Sequence, residues 1–445
     1  MNQLKIDLQE TVAAFLARGE PLSAGQLAAA TGKSQSSISL ALGKLGERIC
    51  RMGAARSTRY ALKKDILGLA AEQSIVFTDS SGHMQNWGLL THLHASQVFA
   101  ATLTGKSFGP TARLPWFLTP LRPQGFLGRQ YAQLRQDFPP DPEQWSLPQI
   151  LYLVTRYAHH APGAFNLGSP SGRLVDEVSP QNEQRLVQYD TRAIQVSHNL
   201  PAGSSAGGEQ PKFLSEYLRD QSWQHCIVKY TPPHGTPFGD RWRALLILEE
   251  LALRTLAARG VDAAPTQVLH STQRTYLESV RFDRIGMEGK QHVVAIAALH
   301  DEFVGGLWKN WVHTAAALAQ TGMITPHELQ QIARIFAFGH YIGNTDMHSG
   351  NLSFFVDDVV APKIGLAPVY DMLPMMWRPD IHQGILSDSP VRQQNMPSGF
   401  DEQQEEARSW AIEFWRQAQQ LDIGTDLQAA ARQSALRLQT RFTTT

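Results

Sequence analysis

The chain has 445 residues, 42% hydrophobic and 18% charged, enough for roughly two to four domains with their own cores. Forty basic and forty acidic residues cancel, so net charge alone points to no class of partner. Two distant cysteines, Cys50 and Cys226, argue against a disulfide framework, and no run approaches the ~18 apolar residues of a membrane span.

Charge is not spread evenly. Residues 1–64 hold ten basic and four acidic side chains, a local surplus of six. "LQETVAAFLARG" has helical apolar spacing and stops at Gly19; "SAGQLAAATG" opens on Ser23 and stops at Gly32; "SQSSISLALGKLG" again opens on a Ser cap. "RICRMGAARSTRYALKK" then alternates like a hairpin. The pattern predicts a winged helix-turn-helix over 1–65. Ser34, Gln35, Ser36 and Ser37 start the third helix, where side chains reach base edges, and Arg51, Arg56 and Arg59 lie on the wing, where they would meet phosphate or a minor groove. The competing reading is a helical protein-interaction or dimerisation module with a solvated basic hairpin. The opening "MNQLKIDLQE" lacks the apolar core of a signal peptide, so the expected location is the cytoplasm or nucleoid.

Residues 66–165 mix strand, short-helix and Gly/Pro turn signals and predict an α+β subdomain without chemistry of its own. His159 and His160 have no carboxylate or cysteine at ligand spacing and read as a surface pair at a helix end. The next segment, 166–290, is more pointed. "NLPAGSSAGGEQPKFL" is rich in Gly and Ser, whose backbone amides and hydroxyls can approach phosphates, although neither GxxxxGK[ST] nor GxGxxG is present. Gly207, Gly208, Gln210 and Lys212 are its candidate nucleotide contacts. "HCIVKY" is a strand with Lys229 embedded in it. "RWRALLILEELALRTLAARG" is an amphipathic helix carrying Glu249 and Glu250, either of which can face Lys229. "RTYLESVRFDRIG" is a strand running into a linker.

Residues 291–445 turn helical, with "VAIAALH", "WKNWVHTAAALAQTG" and "HELQQIARIFAFGHYIG". A polar loop follows, "NTDMHSGN", then the strand "LSFFV" and a second strand ending at Tyr370-Asp371. Phosphoryl transfer to a hydroxyl needs a carboxylate to orient and deprotonate the acceptor, and oxygen ligands for a hard magnesium ion. Protein kinases place an acid and an Asn five positions apart on one loop and a second metal-binding Asp at a later strand end. Asp346, Asn351 and Asp371 have that order and spacing. His348 reads as a brace of the loop.

Through "GGEQPK", "IVKY", "RFDR", "IGNTDMHSGNLS" and "YDMLP", the chain resembles the HipA-like serine/threonine kinases, toxin components of bacterial toxin–antitoxin systems. The resemblance covers about residues 70–430. It implies an α+β, two-lobed kinase fold with a mostly helical large lobe, using ATP and magnesium. It gives Lys229 to the phosphates, Asp346 to catalysis, Asn351 and Asp371 to the metal, and the linker at Val280 and Phe282 to the adenine. It further implies Glu250 as the helix acid paired with Lys229, and Ser205, with Ser204 close behind, as a site of autophosphorylation in the Gly-rich loop. Family members rely on a separate DNA-binding antitoxin. Here the helix-turn-helix is fused to the same chain, which resembles a solitary variant of the family. The implied partners are a protein substrate, with an aminoacyl-tRNA synthetase as family precedent, DNA, and a second copy in a homodimer. Two rival readings share these residues: a transcription regulator whose kinase-like part senses a ligand, and a small-molecule kinase.

Overall fold

The computed structural model describes residues 7–169, 175–199, 210–379 and 398–440. Three short helices come first: α1 (Leu8–Leu16), α2 (Ala24–Thr31) and α3 (Gln35–Leu45). Each has a side-chain N-cap, Asp7, Ser23 and Ser34, and Gly32 in the left-handed region ends α2. Val12, Leu16, Leu27, Ile38, Leu42 and Leu45 give this unit its own core. The hairpin β1 (Ile49–Met52) and β2 (Arg59–Leu62) follows. Its alternation is used on both sides. Cys50, Met52 and Ala61 bury against Leu93 and Phe99 of the next unit, while Arg51 stays exposed. An ion pair of 2.7 Å between Lys63 and Glu72 reinforces that contact.

The middle unit contains β3 (Glu72–Thr78), β4 (Met84–Leu93), β5 (Gln97–Thr102), β6 (Ser107–Thr111), α4 (Gly125–Ala132), α5 (Leu147–Tyr157) and β7 (Phe165–Leu167). The strands form one antiparallel sheet in the order β6-β5-β4-β3-β7. β7 therefore keeps the chain in the middle sheet beyond residue 165. Trp87, Phe108, Phe117 and Phe165 pack ring against ring on it.

The second five-stranded sheet is built from β8 (Asp176–Glu177), β9 (Lys212–Arg219), β10 (Ser222–Tyr230), β11 (Thr266–His270) and β12 (Thr275–Val280), ordered β11-β12-β10-β9-β8. Helix α6 (Asn182–Asn199) precedes β9, and the long α7 (Pro237–Ala257) connects β10 to β11. Beyond it come β13 (Arg284–Ile285), β14 (Gly289–Lys290), β15 (Val293–Ala295), α8 (Ile296–Leu299), α9 (Trp311–Gln320), α10 (Pro326–Tyr341), β16 (Ser353–Asp358), β17 (Lys363–Leu366), α11 (Asp401–Ala418) and α12 (Thr425–Thr440). "VAIAALH" is thus only partly helical. Val293, Val294 and Ala295 pair with Phe355, Phe354 and Ser353, and long-range pairing overrides the local helical pattern. One hydrophobic core runs from the middle sheet through α7 to α11 and α12. No described helix is long and apolar enough to cross a membrane.

A buried polar joint links the middle unit to the linker after β12. Asp283 accepts from Arg281 at 3.0 and 2.8 Å, from Arg284 at 2.7 Å and from the Gly163 amide at 2.9 Å. Lys290 donates to Asn166 at 2.9 Å, and Arg281 to the His160 carbonyl at 3.0 Å. This corrects the expectation for His159 and His160. They are half-buried in the joint rather than a surface pair, and burial, with neighbouring cations, draws His160 down to about 2.

Candidate functional site

Lys229 sits on β10, the central strand of the second sheet, opposite Leu277 on one side and Lys212 on the other. A strand lysine ordinarily seeks water, yet this one is 5% exposed. It survives there because it has two carboxylate partners. Nζ donates to Glu249 Oε1 and Oε2 at 2.6 and 2.7 Å and pairs with Asp371 Oδ1 at 2.7 Å. Burial works against its charge, but Asp371 and Glu249 outweigh it and hold the ammonium above the usual lysine range. Burial likewise opposes the Asp371 carboxylate, and Lys229 with Lys212 still draws it down to about 2. Both groups are therefore charged at neutral pH.

The helix acid is Glu249, not Glu250 as the sequence reading assigned. Successive helical residues point about 100° apart, so only one of the pair can face β10. Glu249 does, at 1% exposure. Glu250 turns toward β11 and accepts the Val268 amide at 3.0 Å, filling a hydrogen bond on that edge strand.

The polar loop is set by α10. A Thr325–Glu328 capping box opens this helix, and its Gly339 lets the loop approach closely. A Cβ there would lie 2.3 Å from Met347 Sδ. Asp346 is exposed at the surface of the loop. Its position rests on Asn344, which sequence reasoning passed over. Asn344 is 3% exposed; Oδ1 accepts the Asp346 amide at 3.0 Å, and Nδ2 donates to the Asp371 carbonyl at 3.3 Å. One amide side chain thus ties Asp346 to Asp371. Tyr370 makes a second tie: its hydroxyl donates to the Gly350 carbonyl at 2.7 Å and lies 2.8 Å from Ser353 Oγ. That bond joins the neighbour of Asp371 to the neighbour of Asn351. Asn351 Nδ2 donates back to the Asp346 carbonyl at 2.9 Å, so its amide oxygen is the atom left to serve as a ligand. His348 accepts the Gly350 amide at 2.9 Å, which makes it the expected brace. An asparagine two residues before the acid, placed where its side chain can accept the acid's own backbone amide, is the signal that could have marked Asn344.

Asp371 itself has φ +52°, in the left-handed region that few non-glycine residues adopt. The expected strand ending at Tyr370-Asp371 stops at Leu366; Val369 makes only an isolated bridge to Ala263, and the turn at Asp371 carries the carboxylate to Lys229. Phe282 packs against Phe355 and Tyr370, each at 5.8 Å between ring centres, which holds its half-buried side chain in an aromatic cluster. The Val280 amide is bonded to the Pro265 carbonyl at 2.9 Å. Gln210 Nε2 holds the Tyr230 carbonyl at 2.8 Å at the end of the Lys229 strand, and Lys212 lies close enough to favour the Asp371 charge. Ser204, Ser205, Gly207 and Gly208 lie outside the described residues.

In the N-terminal unit, the Ser34 hydroxyl caps α3 by accepting the Ser37 amide at 3.2 Å and is shared with the Ser36 and Ser37 hydroxyls. Gln35 and Ser36 remain exposed beside it. Arg51 and Arg56 are exposed on the hairpin; Arg59 is exposed too but leans on the Pro21 carbonyl and Gln26.

Residues 204–442 match the HipA-like C-terminal domain, and residues 69–175 match the middle domain of YjjJ-like toxins. Toxin YjjJ of Escherichia coli K12 is 32% identical over 380 residues, covering 83% of this chain and 84% of that protein. The structure of HipA from Shewanella oneidensis MR-1, solved with HipB and its operator DNA, superposes with a TM-score of 0.53 over 83% of this chain and 96% of that one. Its identity is 16%, so the likeness is one of fold. The family matches and the YjjJ identity together place the chain in the HipA-like toxin family, in its YjjJ-like branch.

Proposed function

We propose that this chain is a toxin kinase: an ATP- and magnesium-dependent enzyme that transfers a phosphoryl group to a serine or threonine hydroxyl of a cellular protein. The observation that carries the reading is the buried Lys229 held between Glu249 and Asp371, with Asp346 and Asn351 tied to the same corner by Asn344 and Tyr370. The donor set suits the cofactor. Asp371 and Asn351 offer carboxylate and amide oxygens, the ligands a hard cation prefers. Bound nucleotide with its magnesium supplies the phosphoryl group and neutralises its developing charge. The protein does the positioning. With nucleotide bound, Lys229 would present its ammonium to the phosphates, Asn351 and Asp371 would hold the metal, and Asp346 would orient the acceptor hydroxyl and take its proton. Lys212, Gln210, Val280 and Phe282 would complete the nucleotide contacts, the last two through their backbone. Ser205 or Ser204 is the proposed autophosphorylation site.

Labelled ATP with purified protein tests this. Wild type should label itself or a protein from a cell extract, and Asp346→Asn should lower transfer by about 10²–10⁴-fold while leaving nucleotide binding intact. ATP binding without any transfer would favour a ligand-sensing regulator, and transfer only to metabolites would favour a small-molecule kinase.

The N-terminal unit supports DNA binding as a second activity. Its three helices and hairpin have winged-helix order, and Gln35, Ser36, Arg51 and Arg56 are exposed on it. The Shewanella HipA structure contains operator DNA alongside a separate HipB; here the DNA contact would be made by residues 7–64 of the same chain. Mobility shifts of chromosomal fragments should vanish on deleting residues 1–64, and affinity should fall steeply with salt. Shifts that persist without those residues would refute the assignment.

A further inference from the structure

The middle unit carries none of the proposed catalytic, metal-binding or nucleotide-contact residues. It nevertheless holds the kinase-like part at two places, and both lie beside the proposed nucleotide contacts. The first is the stretch after β12. Val280 ends that strand, and the Arg281 amide makes one more bond to the sheet, to the His225 carbonyl at 2.8 Å. The chain then leaves the five-stranded sheet and forms the small hairpin β13–β14.

Beyond Arg281 the middle unit takes over. Past the end of α5, the carbonyls of His159, His160 and Ala161 accept from Lys290 at 3.3 Å, Arg281 at 3.0 Å and Arg284 at 2.7 Å. Cations suit this place, since it lies at the carbonyl end of a helix, where the dipole is negative. Asp283, 5% exposed, binds both arginines and the Gly163 amide at once, so it fixes the two sides of the joint relative to each other. The hairpin is held as closely by backbone. The Lys290 amide donates to the Asp79 carbonyl at 2.9 Å, and a Cβ at Gly289 would lie 2.2 Å from the Ser80 carbonyl oxygen.

The second place is the start of β9. Phe126 of α4 is buried in the core of the second sheet with Phe213 and Tyr217. One helical turn later, Gln130 Nε2 donates to the Lys212 carbonyl at 3.1 Å. Lys212 is the register partner of Lys229.

Cohesion alone does not require these polar bonds, because the middle unit already shares a hydrophobic core with α7, α11 and α12. Buried charges are costly to desolvate and add little net stability beside apolar packing of the same volume. Their bonds are directional, and here they act on particular residues. Arg281 and Asp283 flank Phe282, and Gln130 holds the backbone of Lys212 itself.

We infer that the middle unit is a positioning element of the nucleotide site, with Asp283 and Gln130 as its positioning residues. Asp283 fixes the backbone at Val280–Phe282 through Arg281 and Arg284, and Gln130 fixes Lys212. The inference rests on the kinase reading and assigns to its nucleotide site a unit without chemistry of its own. Neither residue is a proposed ligand of the phosphates, the metal or the acceptor, so their loss should appear in ATP affinity and not in the transfer step.

The test uses the full chain and ATP with magnesium. Titration calorimetry gives Kd, and transfer of labelled phosphate gives KM and kcat. Asp283→Asn keeps the side-chain shape and removes the charge between two arginines; Gln130→Ala removes one bond at a half-buried position. Each should raise Kd and KM for ATP by about 2- to 30-fold, with kcat at saturating ATP unchanged. Trp145→Phe is the control. It breaks a buried bond inside the middle unit, from the indole N–H to the Pro139 carbonyl at 2.7 Å, and should lower the urea midpoint without changing ATP affinity. If Asp283→Asn does not fold, Gln130→Ala decides alone. Unchanged ATP affinity in the folded variants overturns the inference, as does an equal loss in Trp145→Phe, which would mean general loosening. A fall in kcat with KM unchanged overturns it too. ATP binding by wild type without transfer removes the kinase reading, while Kd still decides the inference. Wild type that binds no ATP removes both.

Discussion

Glu249 and Glu250 are adjacent, chemically identical and opposite in consequence. Glu249→Gln keeps the shape of the side chain but removes a carboxylate that accepts twice from Lys229 at 2.6 and 2.7 Å, at 1% exposure. Removing one partner of a buried ion pair costs about 3–5 kcal/mol when the other charge is left alone. Lys229 is not left alone, because Asp371 stays at 2.7 Å. The loss is then nearer to that of a charge-assisted hydrogen bond, about 1.5–3 kcal/mol. Glu250→Gln retains an amide oxygen for the Val268 N–H and should cost less than about 1 kcal/mol. Urea unfolding followed by tryptophan fluorescence reads both: a clear drop in midpoint for Glu249→Gln and little change for Glu250→Gln. Transfer activity should follow the same order, since in Glu249→Gln only Asp371 still restrains Lys229. Equal midpoints, or a larger loss in Glu250→Gln, would refute the assignment of Glu249 as the structural partner of Lys229.

Asn344→Ala removes the tie between the Asp346 amide and the Asp371 carbonyl. Stability should fall by about 1–3 kcal/mol, and steady-state kinetics should show a loss in kcat larger than any rise in KM for ATP; unchanged kcat would show that Asn344 does not position Asp346. Lys290 gives a pH test. Burial, with Arg284 and Arg281 nearby, draws its ammonium down to about 7, whereas an unfolded lysine titrates near about 10.4. Between those values the unfolded chain binds a proton that the folded one does not, so this group makes stability rise with pH. The urea midpoint of wild type should therefore gain on that of Lys290→Met between pH 7 and pH 9.5, and a pH-independent difference would refute the lowered pKa.

Much of this protein is legible in its sequence because much of it is local. Caps and stops at Ser23, Gly32, Ser34 and the Thr325–Glu328 box are chemical instructions confined to a few residues, and the helices start and end beside them. The five-residue step from Asp346 to Asn351 is local too, because both lie on one loop. What depends on distant partners was not legible. Which of two adjacent glutamates meets Lys229 depends on the rotation of α7 over the sheet. Whether His159 and His160 face water depends on where Asp283 gathers its two arginines. Val293–Ala295 are a strand only because Ser353–Phe355 lie alongside. Asn344 and Tyr370 look like ordinary polar residues until folding brings 344 to 371 and 370 to 350. The sequence by itself determined which groups are present and which share a loop. The tertiary structure decided which charges meet out of water, where an unpaired group cannot persist and each carboxylate must have its partner.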